Sequence, residues 1–518
     1  MLSLPICQAF LVIASIFTVA GREKPAPKIV TYDAPSDVKC APDFEIKVNS
    51  ENVFVYDSPV APYATFSFSG NINVEVTAIP DAVFGEEQTY ATWGKTIKAR
   101  PLEGRIEEVD IRPKRLGIKS SLNENTISFN LDRPCNLSIE INKNLTRPLF
   151  LFANPLEEDT PAPDVEGVRF FEGGKIHRVG TIDLRNNETV YIAGGAVVVG
   201  SINGENVRNA RVIARGILDG SDEDEVKAPL INMRNCENIE IEGLTILNNR
   251  GWTVVPNQCQ NIRFVNMRQI AWNNNSDGID ICGCQNVTID GCFLRNNDDC
   301  IPIKANRRNE NNDVSDVKVI NSVFWNASGG NALEIGFELR TNSIKNIFWK
   351  NCDIIHVENG AVFSVHNGDG AIVENIIFED IWIEDAQDEL IDLCIGLSIY
   401  SEDAPWEYSR SNPERGRIPD ELKAQPGTNN AGVWLRLSRE EMEKRIGNRG
   451  RIRDIHFRNI HVTGDHFPTS IIQGYDDQHP VENIKIEGLW IHGRQILNAE
   501  DGNFHIERAK NIEFIEVQ

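Results

Sequence analysis

The sequence predicts an all-β chain, a right-handed parallel β-helix preceded by an antiparallel β-sandwich. Three observations carry that expectation. An Asn or Asp followed by alternating aliphatic residues recurs through the C-terminal two-thirds, at a spacing of roughly 23 to 30 residues that falls in the solenoid range. Those units hold short β-branched runs and turn residues, with no helical stretch between them. The N-terminal part has a different rhythm, of short alternating runs broken by turns.

The chain of 518 residues is too long for one ordinary core, so two units are expected. Hydrophobic content of 41% and charged content of 25% are those of a folded soluble protein. A formal charge of -24 argues against nucleic acid and an anionic membrane surface as partners, and more weakly against a highly anionic polymer. Residues 1–20 read as a secretory signal, apolar over 2–20 and ending in Thr18-Val19-Ala20, although a basic start is missing and Pro5 and Cys7 interrupt it. A secreted protein, with no membrane attachment after cleavage, is the expectation. An anchoring segment is the alternative.

Residues 21–165 contain FEIKVN, ATFSFSG, NVEVTAI, TISFNL, NLSIEIN and PLFLFAN, whose length and spacing suit a β-sandwich. Residues 159–166, rich in acid and proline, read as a linker. From 166 to 518 the solenoid units follow: NIEIEGLTI from Asn238, NIRFVNMRQI from Asn261, NVTIDGCFL from Asn286, DVKVINSVF from Asp316, NIFWKNCDI from Asn346, and onward to NIEFIEV from Asn511. The recurring Asn is a turn residue able to stack on the Asn of the next coil. Cys236, Cys259 and Cys284 open successive units and are expected to stack as small buried hydrophobes. No CxxC pair or His/Cys cluster has metal-ligand spacing, and no cofactor or metal is expected. The rhythm breaks over about 386–453, which holds Trp406, Tyr408, Trp434 and a helix over 438–445. A long loop there is expected to project from the cylinder and to serve function.

Residues 273–304 hold two acidic motifs, Asn275-Ser276-Asp277-Gly278 and Asn297-Asp298-Asp299-Cys300, about one repeat apart. In a solenoid that spacing stacks Asp277 beside Asp298 and Asp299. Like charges so placed cost energy, and pushing their pKa values apart suits general acid and base work on a glycosidic bond. Adjacent Asp298 and Asp299 share one face only if one of them sits at a bend. Aspartates in solenoid turns can also simply cap them, the reading given to Asp280 and Asp290.

These motifs resemble those of the polygalacturonase family of pectin hydrolases, glycoside hydrolase family 28, whose members are right-handed parallel β-helices. NSDGIDI and NNDDCIPIK match its first two motifs, with Ser276 in place of Thr, and GILDG at 216–220 and NNRGWTV add to the likeness. The resemblance implies an inverting hydrolase of a polysaccharide or oligosaccharide, with Asp298 as general acid and Asp277 and Asp299 holding and activating water. The third motif, Gly-His-Gly, falls on Gly330-Asn331-Ala332, so Asn331 stands where the family has His. The fourth, Arg-Ile-Lys, which supplies cations for a uronate, falls where Val362 and Ser364 stand. Candidate substrate-binding residues are Asn275, Asn331, Glu334, Arg340, Lys304, His366 and Trp252.

A sandwich ahead of a β-helix also resembles the dextranase family, glycoside hydrolase family 49, which makes a neutral glucan an alternative substrate. A polysaccharide lyase and an inactive carbohydrate-binding β-helix are further alternatives. The lyase is disfavoured because no Arg or Lys base stands out beside the trio.

Overall fold

The computed structural model describes all residues except 1–25, 84–88, 93–94, 159, 222–228, 307–311, 425–432 and 518. The apolar segment 2–20 therefore lies outside the described residues.

Two sheets form the N-terminal unit. One has the order Lys28–Val30, Tyr63–Ser69, Leu149–Pro155, Cys135–Ile141, Val109–Arg112; the other runs Ser120–Asn123, Thr126–Leu131, Ile72–Ala78, Phe44–Val48, Glu51–Val53. Strict alternation marks the second sheet: Ile72, Val74, Val76 and Ala78 are buried and the residues between them half-buried. One pair departs from the antiparallel expectation, since Leu149–Pro155 runs parallel to Tyr63–Ser69. That strand is also buried on both faces. Leu149, Leu151 and Ala153 enter the sandwich core, whereas Phe150 and Phe152 pack outward against Val197, Ile217, Leu247, Ile270, Phe293 and Trp325 of the solenoid. Ion pairs fix the same junction. Arg112 Nη1 donates to Glu384 Oε2 at 2.7 Å, and His356 Nε2 donates to Glu140 Oε1 at 2.9 Å.

From Val168 onward a 29-stranded sheet winds as a parallel β-helix. One column of strands contains Val254–Asn257, Ile281–Cys282, Ile301–Ala305, Leu333–Leu339, Phe363–Asn367, Glu389–Ile395 and Thr469–Gln473. Its register stacks Ile281, Ile303, Ile335, Val365, Leu393 and Ile472 inward, all in one continuous core. The recurring Asn forms the ladder expected of it. Asn238, Asn261 and Asn286 take left-handed φ values near +56°, and each Nδ2 donates to the preceding rung's Oδ1 at 2.9, 2.9 and 2.6 Å. The described cysteines are free thiols. Cys236 N donates to Cys259 Sγ at 3.3 Å and Cys259 N to Cys284 Sγ at 3.4 Å, which is the expected stack.

The interrupted stretch differs from expectation in two ways. Glu389–Ile395 is still solenoid, paired with Phe363–Asn367 and Thr469–Gln473. Its seven residues are all buried, so it lacks the alternation by which such strands are recognised. The excursion that follows does not project freely; it folds back over the outer face of the column. Trp434 is buried against Phe337 and His366 at ring-centroid distances of 5.3 and 5.6 Å. Arg449 Nη1 donates to the carbonyls of Gly368 and Gly396, both at 2.6 Å. A short helix, Arg439–Glu443, is capped by Ser438, whose side chain accepts from Glu441 N.

Candidate active site

The acidic motifs lie in the turns that precede the column strands, and backbone pairing continues through those turns. Gly278 N donates to Asp299 O at 2.8 Å, and Cys300 N to Asn331 O at 3.1 Å. Asp277, Asp299 and Asn331 are thereby stacked on successive coils. Asp298 and Asp299 fall between Phe293–Asn296 and Ile301–Ala305, off the pleat, so both reach one cavity. The amides and hydroxyls of the motifs build this bend. Asn296 Nδ2 donates to Ser276 O at 2.8 Å, Asn297 N to Ser276 Oγ at 3.2 Å, and Asn326 Nδ2 to Asp298 O at 2.9 Å. Gly330 closes the turn above at φ +66°, where a Cβ would stand against Asp298 Oδ1 and Asp299 N.

Oxygens of Asp277, Asp298 and Asp299 come within 4.8 Å of one another, close enough to share a cation. The cation present is the Lys304 ammonium. Its Nζ lies 2.8 Å from Asp277 Oδ2, 3.1 Å from Asp280 Oδ1 and 3.7 Å from Asp299 Oδ2, and 4.1 Å from the centroid of the Trp252 ring. Lys304 is 4% exposed and Asp277 1%. Asp277 Oδ1 has no protein hydrogen-bond partner among the described residues. Asp299 Oδ1 accepts from Asn331 N at 2.7 Å, and Asp298 Oδ1 from Asp299 N at 3.0 Å.

Burial, and then the charge of Asp277, pushes Asp298 up to about 8 against the pull of Lys304. Burial and the charge of Asp298 push Asp299 well above the usual carboxylate range. Burial works against the charge of Lys304, yet Asp277, Asp280 and Asp299 together hold it well above the ordinary lysine value. The cluster thus retains a proton near neutrality that ordinary aspartates would have lost, and this is the condition for a general acid beside a base.

The cavity above the cluster has a volume of about 570 Å³. Of the sequence-derived substrate residues, Asn275, Asn331, Lys304 and Trp252 line it. Asn331 does so with its own amide engaged, Oδ1 accepting from Ala361 N at 2.9 Å. Glu334, His366 and Arg340 do not line it, which corrects three assignments. Glu334 and His366 are fully buried under the excursion, His366 bonding to Glu334 Oε1 at 3.1 Å and to Asp392 Oδ2 at 3.0 Å. Burial disfavours a charged His366, but the two carboxylates outweigh it and raise it to about 10. Arg340 holds the carbonyls of Tyr400 and Asn306 at 2.8 and 3.3 Å, anchoring the excursion.

Three further expectations change. Asp280 is no turn cap: it is buried within the cluster, paired with Lys304, and held well above the carboxylate range by burial and the charge of Asp277. A lysine does stand beside the trio. The excursion also lines the cavity with residues other than the aromatics singled out from the sequence. Trp434 is buried, Tyr408 packs in the excursion's own small core, and Trp406 is 64% exposed but not part of the cavity wall. Tyr400, Arg410 and Val433 are the contributors, facing Glu338 and Phe337 from the solenoid. Arg410 makes no ion pair among the described residues. Its only sequence signal was position within the broken rhythm.

Comparison with known proteins bears on the family and the fold. Residues 174–393 match the family model "Glycosyl hydrolases family 28". The chain is 24% identical over 206 residues to Polygalacturonase QRT2 of Arabidopsis thaliana, covering 36% of this chain and 45% of that protein. It is 22% identical over 256 residues to Endo-xylogalacturonan hydrolase A of Aspergillus tubingensis, covering 45% and 59%. The match therefore spans about half the length of these two curated relatives. Dex49A from Penicillium minioluteum has the same fold along nearly the whole chain, with a TM-score of 0.62 and coverage of 94% and 96%, at 13% identity. Over the coils that carry the aspartate cluster the chain is similar in sequence to glycosyl hydrolases of family 28, and from end to end its fold is that of Dex49A, the relation that its motifs and architecture imply.

Proposed function

We propose that the protein is a polygalacturonase-like glycoside hydrolase that cleaves a polysaccharide by acid and base catalysis on Asp298, Asp277 and Asp299. The observation that carries this reading is the gathering of Asp277, Asp298 and Asp299 within 4.8 Å of one another at one cavity, where burial and like charge push Asp298 up to about 8. Asp298 protonates the leaving oxygen. Asp277 and Asp299 orient and deprotonate water, and the buried, unpartnered Oδ1 of Asp277 supplies an acceptor for it. Trp252, one face on Lys304, offers its edge of the cavity to the apolar face of a sugar ring.

Resemblance to family 28 supports inversion by single displacement. A second reading, retention through a covalent aspartyl intermediate, draws on the approach of the carboxylates to within 4.8 Å. Inverting pairs are usually separated by about 6.5–9.5 Å and retaining pairs by about 5–5.5 Å. The anomeric configuration of the first product, read by proton NMR, separates the two. We place the enzyme outside the cell on the strength of residues 2–20, which N-terminal sequencing of the mature protein would test.

The principal test is turnover on galacturonan, xylogalacturonan and dextran, with Asp298→Asn in parallel. Hydrolysis of one polymer by the wild type, lost in the variant, supports the assignment. Equal hydrolysis by both refutes it, and no hydrolysis of any polymer favours a carbohydrate-binding role.

A further inference from the structure

We propose that Lys304 is the positioning residue that divides labour within the aspartate cluster, holding Asp277 as the carboxylate and leaving Asp298, with which it makes no ion pair, as the acid. The inference deepens the hydrolase reading and rests on it. Its basis is the placement of one buried ammonium. Nζ lies 2.8 Å from Asp277 and 3.7 Å from Asp299, and Asp298 has no ion pair with it. The remaining charge of the ammonium goes to Asp280 at 3.1 Å, below the cavity floor. Trp252 covers it at 4.1 Å, so the field of the ammonium is little screened by solvent.

The fold leaves Lys304 little freedom to do anything else. Lys304 pairs with Cys282 in the column register, one coil from Asp277 and Asp280, and its side chain is confined between that coil and the Trp252 ring. Two of its three donors are already on carboxylates at hydrogen-bond distance, and the Trp252 ring covers the ammonium. Lys304 therefore acts on the substrate through the aspartates.

The charged and titratable groups around the cluster come from every neighbouring element. They are Asp277, Asp280 and Cys282 on the coil before; Asp298, Asp299 and Cys300 on the same coil; Glu334 and Glu338 on the coil after; and Tyr400 and Arg410 from the excursion. Lys304 is the member of this set that bonds directly to aspartate oxygens as a cation. Asn331 N donates to Asp299 Oδ1 at 2.7 Å as Asp299 N does to Asp298 Oδ1 at 3.0 Å, so backbone amides do not separate the adjacent pair and the ammonium on Asp277 is the distinguishing contact.

The test is a pH titration of the protein carrying ¹³Cγ-labelled aspartate, followed by NMR without substrate. Asp277→Asn, Asp298→Asn and Asp299→Asn assign the three resonances. In the wild type, the proton held at neutral pH is expected on Asp298. In Lys304→Met the Asp277 resonance is expected to become protonated in the same range, and Lys304→Arg is expected to restore the wild-type pattern. An unchanged pattern in a folded Lys304→Met protein overturns the proposal. Should Lys304→Met fail to fold, the wild type alone decides: an ionised Asp298 beside a protonated Asp277 at neutral pH overturns it, and the reverse supports it. The titration needs no turnover, so its failure is distinct from failure to find a hydrolysed polymer.

Discussion

If Asp298 is the acid, the alkaline limb of activity must follow its proton. With its titration pushed up to about 8 by burial and the charge of Asp277, about 90% of the enzyme carries the proton at pH 7 and about 10% at pH 9. Hydrolysis, read as kcat/KM from reducing ends released by whichever polymer is cleaved, should fall about tenfold across that interval. A carboxyl at the ordinary value of 3.8 would lose the same tenfold before pH 5. The profile reports the cluster as a unit, because the aspartates share their protons. Asp298→Asn should remove the alkaline limb together with most of the rate, a loss of about 100- to 10,000-fold. An alkaline limb below pH 5 in the wild type would refute the assignment of burial and like charge as the cause. A limb near 8 that persists in Asp298→Asn would move the acid to another residue.

Three more outcomes are expected. Gly330→Ala places a Cβ against Asp298 Oδ1 and Asp299 N at a left-handed φ; displacement of the catalytic pair should lower kcat by about 100-fold, measured beside a thermal melt that confirms folding. His356, buried between Glu140 and Asp385, is raised from 6.5 to about 9 because those carboxylates outweigh burial. It contributes on the order of 3 kcal/mol that is fully present below pH 6.5 and lost as pH rises through 9. Urea unfolding at pH 6 and pH 10 should show that loss, reduced in His356→Gln. Arg410→Ala should weaken binding of oligogalacturonides by about tenfold while leaving dextran oligosaccharides unaffected, as titration calorimetry would show. An equal loss on both ligands would make Arg410 a shaping residue instead.

Much of the fold was legible because a solenoid writes its geometry into its repeat. The Asn ladder, the stacked thiols and the co-location of Asp277 with Asp299 all follow from one period, and each coil repeats the same turn. Strand Glu389–Ile395 was hidden because both its faces are covered, one by the core and one by the excursion, and alternation disappears when neither face meets water. The same covering explains the errors at Glu334 and His366. Outward-facing positions of a solenoid sheet are read as groove residues, and here a segment distant in sequence, with Trp434 over His366 and Tyr400 on Arg340, lies across them. Asp280 and Lys304 were misjudged for a different reason. Burial of a charge depends on a partner one coil away, and neither residue's own neighbourhood in the sequence reveals it.

That covering also bears on where recognition resides. In the resemblance to family 28, the coil carrying Val362 and Ser364 would supply the two cations for a uronate. Here Val362 is in the core and Ser364 bonds to buried Glu334, so no side chain added at either position would meet the cavity without moving the excursion. The column that contains Glu334, Ser364 and Asp392 is fully buried and internally charge-paired through His366. Opening it to a substrate would strip partners from ionised groups, at a cost of several kcal/mol. On the proposed reading, recognition on that side of Asp298 falls to the wall laid over it, to Tyr400, Arg410 and Val433. The acidic trio is set by the register of the solenoid, whereas the facing wall of its cavity is built by the excursion. Placing Arg and Lys at Val362 and Ser364 would accordingly not bring cations to the cavity, because both positions face away from it.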